Sequence, residues 1–218
     1  MLAWIKSWLS AKQAHEWEAT IRRFENTDKM MPPTKGGIVF VGSSTIGLWK
    51  WVGRSFPHTR IINRGFGGAQ IEDLIYFVDR IIILHRPCLI IVYAGDNDIA
   101  CGKTPLRVFE DFRKFVNKID QQLPETRIAF ISIKPSPARW HLINNVREAN
   151  EFIRHYIAKK RRLTYIDIHT AMIGPNGLPH VSLFAKDGLH LNRNGYRLLR
   201  DIITPYLRES DGAVRLKD

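Results

Sequence analysis

Five short apolar runs alternate with longer stretches in which apolar residues recur every three or four positions. The short runs, rich in β-branched residues, cover residues 38–41, 60–63, 88–94, 127–133 and 164–168. Near-continuous apolar runs of this length are typical of strands that are buried on both faces of a parallel sheet. The spacing of the longer stretches predicts amphipathic helices over residues 71–84, 106–121, 144–161 and 194–207, and a further helix over 15–28.

This alternation predicts the fold class. Helices that follow each strand and cover both faces of a sheet indicate an α/β protein, a three-layer α/β/α sandwich around a flavodoxin-like, five-stranded parallel sheet. We expect a single domain over residues 36–218, with a helical extension over residues 1–35 packed on it. Leu2, Ile5, Trp8 and Leu9 share a helical spacing. That pattern favours a helix packed on its own domain over the alternative, a helix lying on a membrane interface.

Composition narrows the choice of partner and compartment. No apolar run approaches the roughly 18 residues of a membrane-spanning helix, and the first residues do not resemble a secretory signal. Cys88 and Cys101 are expected at opposite ends of one strand and its loop, too far apart to pair, so we expect reduced thiols and a cytoplasmic location. The net charge of +12 is scattered, and its one dense block, residues 159–162, falls at a predicted helix end. We therefore expect no nucleic-acid partner.

Polar residues and glycines follow the predicted strands in four short segments. Ser44 follows the first strand, where a hydroxyl is either a nucleophile or a helix cap. Gly68 follows the second strand and leaves its backbone N–H accessible, and the amide of Asn97, after the third, is a donor suited to an oxyanion. Asp187 and His190 lie three residues apart before the last helix, a spacing that suits a general base and the carboxylate that orients it. Each segment alone is explicable as a turn or cap, but all four are expected at one sheet edge.

The order of these segments resembles that of the SGNH, or GDSL-type, esterase and lipase family over residues 36–207. The resemblance implies that Ser44 is the nucleophile of a triad with Asp187 and His190. It also implies an oxyanion hole made by Ser44, Gly68 and Asn97. The family's usual Gly-Asp-Ser reads Gly42-Ser43-Ser44 here, as in a bacterial branch of small members, which leaves Ser43 as a second, weaker candidate nucleophile.

The resemblance implies a serine hydrolase that cleaves small-molecule carboxylic esters, by default with short acyl chains, through an acyl-enzyme. The same residues would serve a carbohydrate O-acetyl esterase or a lysophospholipase-type lipase, and a non-catalytic basic binding protein on this fold is the alternative of another class. We expect no cofactor, and the pair Asp96 and Asp98 is a weak metal signal because further ligands are lacking. The oligomeric state is not predicted.

Several large or basic side chains are candidates for a substrate pocket near this edge. Ser43, Arg64, Phe66 and Trp140 are the predicted lining, and the indoles of Trp49 and Trp51 suit either a pocket or the core. The guanidinium groups of Arg64 and Arg139 are candidates to attract an anionic group.

Overall fold

Five parallel strands form a single sheet in the order β2-β1-β3-β4-β5 in this computed structural model, which describes the backbone of residues 2–211 and the side chains of residues 16–207. The strands are β1 (Ile38–Gly42), β2 (Ile61–Gly65), β3 (Leu89–Tyr93), β4 (Arg127–Ile131) and β5 (Leu163–Ile166). This order is the flavodoxin-like one, so the predicted fold class is confirmed. All five strands coincide with predicted runs, to within two residues at each end.

Eight α-helices connect and flank these strands within the described chain. They are α1 (Leu2–Met30), α2 (Ser44–Gly47), α3 (Val52–Ser55), α4 (Ile71–Ile81), α5 (Asp96–Ala100), α6 (Pro105–Gln122), α7 (Ile143–Ala158) and α8 (Arg193–Asp211). The predicted helix over residues 15–28 is the second half of α1. The side chains of Leu2, Ile5, Trp8 and Leu9, on which the choice between a packed helix and a membrane-bound one depends, lie outside the described residues. The one-turn helices α2, α3 and α5 are too short to show a periodic pattern.

The two faces of the sheet bury separate apolar layers because successive strand residues point to opposite sides. Val39 and Val41 of β1 face the layer covered by α1, α4, α6 and α7, whereas Ile38 and Phe40 face the layer covered by α2, α3 and α8. Both layers are fully enclosed, which explains why the strands read as continuous apolar runs.

Helix α1 is held on the domain through buried contacts of its second half. Ile21 is fully buried in the α4 layer. Asp28 accepts two hydrogen bonds from Arg64 of β2, at 2.5 and 2.6 Å, and the Arg64 guanidinium lies over the ring of Phe24. These contacts place the exposed side of α1 next to the ends of β1 and β2.

Candidate active site

A cleft of about 680 Å³ lies beside the carboxyl ends of β1 and β2. Its volume is in the range of pockets that bind small organic ligands. Ser44 and Gly47 of α2 line it, together with Gly67 after β2 and His190 in the loop before α8. Four residues of α1 form another wall: Thr20, Arg23, Phe24 and Thr27. The structure thus brings two of the sequence-predicted segments, 146 positions apart in the chain, to one cavity.

Ser44 reaches the cleft because the chain turns sharply after β1. Gly42 has φ +145°, and a Cβ there would lie 1.9 Å from the carbonyl oxygen of Tyr93, so only glycine fits between the two strands. The backbone N–H of Ser43 donates to that same carbonyl at 3.0 Å, and α2 begins at the next residue. As the first helical residue, Ser44 has an N–H without an acceptor inside the helix. The half-buried side chain of Ser44 and this N–H therefore lie next to each other at the start of α2.

Ser43 and Ser44 occupy different environments although they are neighbours. The side chain of Ser43 is fully buried, and its hydroxyl lies 3.5 Å from Oδ1 of Asp96 inside the domain. Ser44 lines the cleft. Of the two candidate nucleophiles, only Ser44 is positioned to meet a ligand in that cleft.

Asp187 and His190 form a short, well-defined pair. Nδ1 of His190 lies 2.6 Å from Oδ2 of Asp187. The other carboxylate oxygen accepts the backbone N–H groups of Leu189 and His190 at 2.9 and 3.0 Å. The hydrogen bond with His190 and these two N–H groups hold the pKa of the Asp187 carboxyl well below its usual range. An ionised Asp187 keeps the proton of His190 on Nδ1, which leaves Nε2 as the acceptor.

The loop of His190 is tied to the turn of Ser44 by one hydrogen bond. The phenol of Tyr196, in the first turn of α8, donates to the backbone carbonyl of Thr45 at 3.1 Å. The Tyr196 ring is buried against Trp49 at a centroid distance of 5.4 Å. This contact fixes the start of α8 relative to α2, the two elements on which His190 and Ser44 depend.

Gly68 and Asn97 lie next to each other at the ends of β2 and β3. Gly68 has φ +77°, a conformation that favours glycine, and the side-chain amide of Asn97 donates to the carbonyl of the next residue, Ala69, at 3.1 Å. Neither residue belongs to the lining of the cleft within the described chain. The structure therefore places them beside each other, while their role toward a ligand stays a prediction.

A buried ion pair supports this edge of the sheet from below. Nζ of Lys134 lies 2.9 Å from Oδ2 of Asp96 and 3.0 Å from the phenol of Tyr93, and it also contacts the hydroxyl of Thr45 at 3.3 Å. Burial alone would raise the pKa of Asp96, but the adjacent Lys134 ammonium outweighs it and holds that pKa below its usual value. Burial raises the pKa of Tyr93 to about 12.

Sequence reasoning did not identify Lys134 or Tyr196. Lys134 directly follows the run 127–133 and so shares the sheet edge of the other segments, which is the one signal that points to it. Tyr196 belongs to the apolar face of a predicted helix, and nothing in the pattern shows that its hydroxyl reaches Thr45.

The structure places the predicted pocket residues in different environments. Phe66 lines the cleft, whereas Ser43 is buried and Arg64 is engaged with Asp28 beneath α1. The guanidinium of Arg147 lies over the ring of Trp140, and Trp140 is not among the described residues that line the cleft. Arg139 does not face the cleft as an anion site, because its guanidinium donates to the carbonyl of Asp96 and to Oδ1 of Asn97.

Trp49 is fully buried in the α8 layer, and Trp51 is partly exposed with its ring against Tyr196. The indole of Trp49 therefore belongs to the core and not to a pocket. These positions were ambiguous because aromatic residues suit a core and a binding site equally well.

Three further properties concern the described chain as a whole. Neither Cys88 nor Cys101 forms a disulfide within the described chain, in agreement with their predicted separation. No helix among the described residues has the length and apolar character needed to cross a bilayer. Within the same residues, His, Cys, Asp and Glu side chains do not gather in a group of three or more that is arranged to hold a metal ion.

Solved structures share this architecture with low sequence identity. A GDSL-like lipase of Bacteroides thetaiotaomicron has a TM-score of 0.76 and 19% identity, with 88% of this chain and 98% of that one covered. A lipolytic G-D-S-L family member of Veillonella parvula has a TM-score of 0.66 and 20% identity over 78% and 97% of the two chains. An acetyl-xylooligosaccharide esterase of Geobacillus stearothermophilus has a TM-score of 0.63 and 15% identity over 83% and 96%. No curated protein matches this chain in sequence.

The sheet order and these neighbours define the class, a three-layer α/β/α protein with the SGNH hydrolase fold. Within that class, the model of the GDSL-like Lipase/Acylhydrolase family matches residues 40–198. The chain belongs to this family. The resemblance read from its four segments is thereby confirmed.

Proposed function

We propose that this protein hydrolyses small-molecule carboxylic esters through an acyl-enzyme on Ser44. The observation that carries the proposal is the cleft shared by Ser44 and His190, with His190 held at 2.6 Å by Asp187. Family membership supports acyl hydrolysis as the reaction class.

In the proposed mechanism, Nε2 of His190 accepts the proton of the Ser44 hydroxyl as its oxygen attacks the ester carbonyl. Asp187 keeps the imidazole in the required tautomer and stabilises the imidazolium that forms. The tetrahedral intermediate collapses when His190 returns the proton to the departing alcohol. Water, activated by the same imidazole, then attacks the acyl-enzyme and releases the carboxylic acid and free Ser44.

The negative charge of each tetrahedral intermediate requires preorganised donors. We propose the backbone N–H groups of Ser44 and Gly68 and the side-chain amide of Asn97 for this role. Donors that are fixed before the reaction stabilise the charge without reorganising during it. The fixed orientation of the Asn97 amide supports its part in this set.

The test compares Ser44→Ala with Ser43→Ala on a panel of esters. The panel contains p-nitrophenyl esters of graded chain length, acetylated sugars and a monoacyl phospholipid, so that it also distinguishes the three substrate classes that the sequence leaves open. We expect Ser44→Ala to lose turnover by about 10⁴-fold or more. Ser43→Ala should retain most of the wild-type rate, because its hydroxyl faces Asp96 and not the cleft.

Full activity in Ser44→Ala would overturn the proposed nucleophile. A wild-type protein that cleaves no ester but binds nucleic acid in a salt-sensitive manner, unaffected by Ser44→Ala, would instead favour the non-catalytic alternative. A serine-reactive phosphonate, mapped by mass spectrometry, provides an independent identification of the activated residue.

A further inference from the structure

Two cationic side chains lie on the walls of the cleft. Arg23 of α1 and Lys50 after α2 both line the cleft together with Ser44 and His190. No aspartate or glutamate belongs to the described lining. A ligand in this cleft therefore meets two cationic side chains on the same walls as the proposed reacting groups.

Several basic residues around α1 have a carboxylate partner. On the same side of the domain, Arg22 pairs with Glu18, Arg64 with Asp28, and Arg80 with both Glu18 and Glu25. Arg23 instead donates to the hydroxyl of Thr20 at 2.9 Å.

Within the described part of the chain, neither Arg23 nor Lys50 is among the basic side chains that form an ion pair. Unpaired cations are common on a protein of net charge +12, so the absence of a partner alone is not informative. Their position on the cleft wall is what distinguishes this pair.

The remainder of the cleft is suited to an uncharged part of the same ligand. Phe24 of α1, Leu48 and Phe66 contribute apolar surface to the lining. An ester that combines an apolar segment with an anionic end would cover this surface and neutralise the cations. A neutral ester would remove water from the two cations without replacing the lost hydration, and a cationic one would be repelled.

We propose that the cleft selects esters that carry a second, anionic group, a carboxylate or a phosphate, which Arg23 and Lys50 bind while the ester carbonyl faces Ser44. This inference rests on the proposed function, and it narrows the substrate class. It also replaces the sequence-based expectation that Arg64 and Arg139 would attract the anion, since both of those side chains are engaged inside the protein.

The test uses pairs of esters that differ only in the anionic group. Mono-p-nitrophenyl glutarate is compared with p-nitrophenyl pentanoate for a carboxylate, and a short acylglycerol phosphate with the corresponding monoacylglycerol for a phosphate. For at least one pair, we expect kcat/KM to be about tenfold higher for the anionic ester at low salt, because hydrogen bonds to a charged group are stronger than neutral ones. The pair that shows the preference identifies which anion is bound.

The variant Arg23→Gln/Lys50→Gln should reduce this preference about tenfold, to near one. The matched control is Lys29→Gln/Arg54→Gln, which removes the same net charge from exposed residues of α1 and α3 that lie outside the described lining. The control should keep the preference. An equal loss in both double variants would show a long-range field of the whole protein and overturn the local site.

Binding to Ser44→Ala separates this inference from the proposed function. Ligand-observed NMR compares monoethyl glutarate with ethyl pentanoate in that variant, with and without the two glutamine substitutions. Anion-dependent binding in a protein that hydrolyses no ester would refute the proposed function and support the site. Ester hydrolysis that depends on Ser44, with equal rates and equal binding for anionic and neutral ligands, would refute the site and leave the function standing.

Discussion

The side-chain amide of Asn97 is held from both ends. Its Oδ1 accepts a hydrogen bond from Arg139 at 3.1 Å, and its Nδ2 donates to the carbonyl of Ala69 at 3.1 Å. Because the guanidinium of Arg139 also donates to the backbone carbonyl of Asp96 at 3.0 Å, it fixes the amide relative to its own helix turn. The second N–H of the amide is thus presented in one orientation, which is what an oxyanion donor requires.

Asn97→Ala is expected to lower kcat by about 10²–10³ if the amide stabilises the oxyanion. Arg139→Leu should lower kcat by about tenfold, because it acts through Asn97 and leaves that donor in place but free to rotate. KM should change little in both variants. Steady-state kinetics on the best ester of the panel measures these values.

A double variant tests whether Arg139 acts through Asn97. In the Asn97→Ala background, Arg139→Leu should have almost no further effect on kcat, since the group that it positions is already absent. Arg147→Leu is the control, because it removes a neighbouring cation that lies over Trp140. Additive losses from Asn97→Ala and Arg139→Leu would show that Arg139 does not position the amide.

At the scale of elements, the contact between α8 and α2 sets the distance between His190 and Ser44. It depends on the hydrogen bond from Tyr196 to the carbonyl of Thr45, which joins residues 151 positions apart. Tyr196→Phe keeps the ring between Trp49 and Trp51 but leaves the buried carbonyl without its donor. We expect a loss of about 1–3 kcal/mol in the free energy of unfolding and a fall of several-fold in kcat/KM.

The matched control is Thr126→Val, at the opposite edge of the sheet. Its hydroxyl donates to the buried carbonyl of Pro87 at 2.7 Å, so the substitution removes the same kind of hydrogen bond. Urea denaturation should show a similar loss of stability for both variants, while only Tyr196→Phe should lose activity. Equal activity in the two variants would indicate that the α8 contact contributes to folding alone.

At the scale of the whole molecule, the sheet could be predicted from the sequence because its strands are enclosed on both faces. Runs such as 38–41 and 88–94 are apolar at nearly every position and are therefore easily recognised as buried strands. Helices of several turns are recognised by the three- to four-residue spacing of their apolar residues. The same reasoning places Ser44, Asn97 and His190 at one edge, because parallel strands share a direction.

Other features depend on contacts that a pattern does not encode. The periodicity of α1 shows that it has an apolar face but not that Arg23 and Phe24 border a cleft. The sequence does not distinguish Ser43 from Ser44, which differ by one position and by which side of a turn they occupy. From the sequence, Arg64 is expected to be available to a ligand. The sequence does not show that Asp28, 36 residues earlier in the chain, is its partner.

The docking of α1 makes overall stability depend on pH. Nε2 of His85 lies 3.2 Å from the Arg64 guanidinium and 3.5 Å from Asp28. Burial and the charge of Arg64 lower the pKa of His85 from its ordinary 6.5 to about 4, against the opposing effect of Asp28. Between these two values the unfolded chain binds a proton at His85 that the folded protein does not. Acidification therefore favours unfolding, and the contribution of His85 is complete above pH 6.5 and lost as the pH falls toward 4.

We expect the low pKa of His85 to reduce the free energy of unfolding by up to about 2 kcal/mol between pH 8 and pH 5. Other groups also change protonation in this range. Burial raises the pKa of Asp98 to about 6, so protonation of Asp98 on acidification favours the folded state. The stability of each variant is therefore compared with that of the wild type at the same pH. His85→Gln, which stays neutral, should lose less stability than the wild type over this interval, whereas His58→Gln, at an exposed position, should follow the wild type. Urea midpoints at pH 8, 6 and 5 measure the difference. If all three proteins show the same pH slope, the buried imidazole is not the group whose protonation loosens α1.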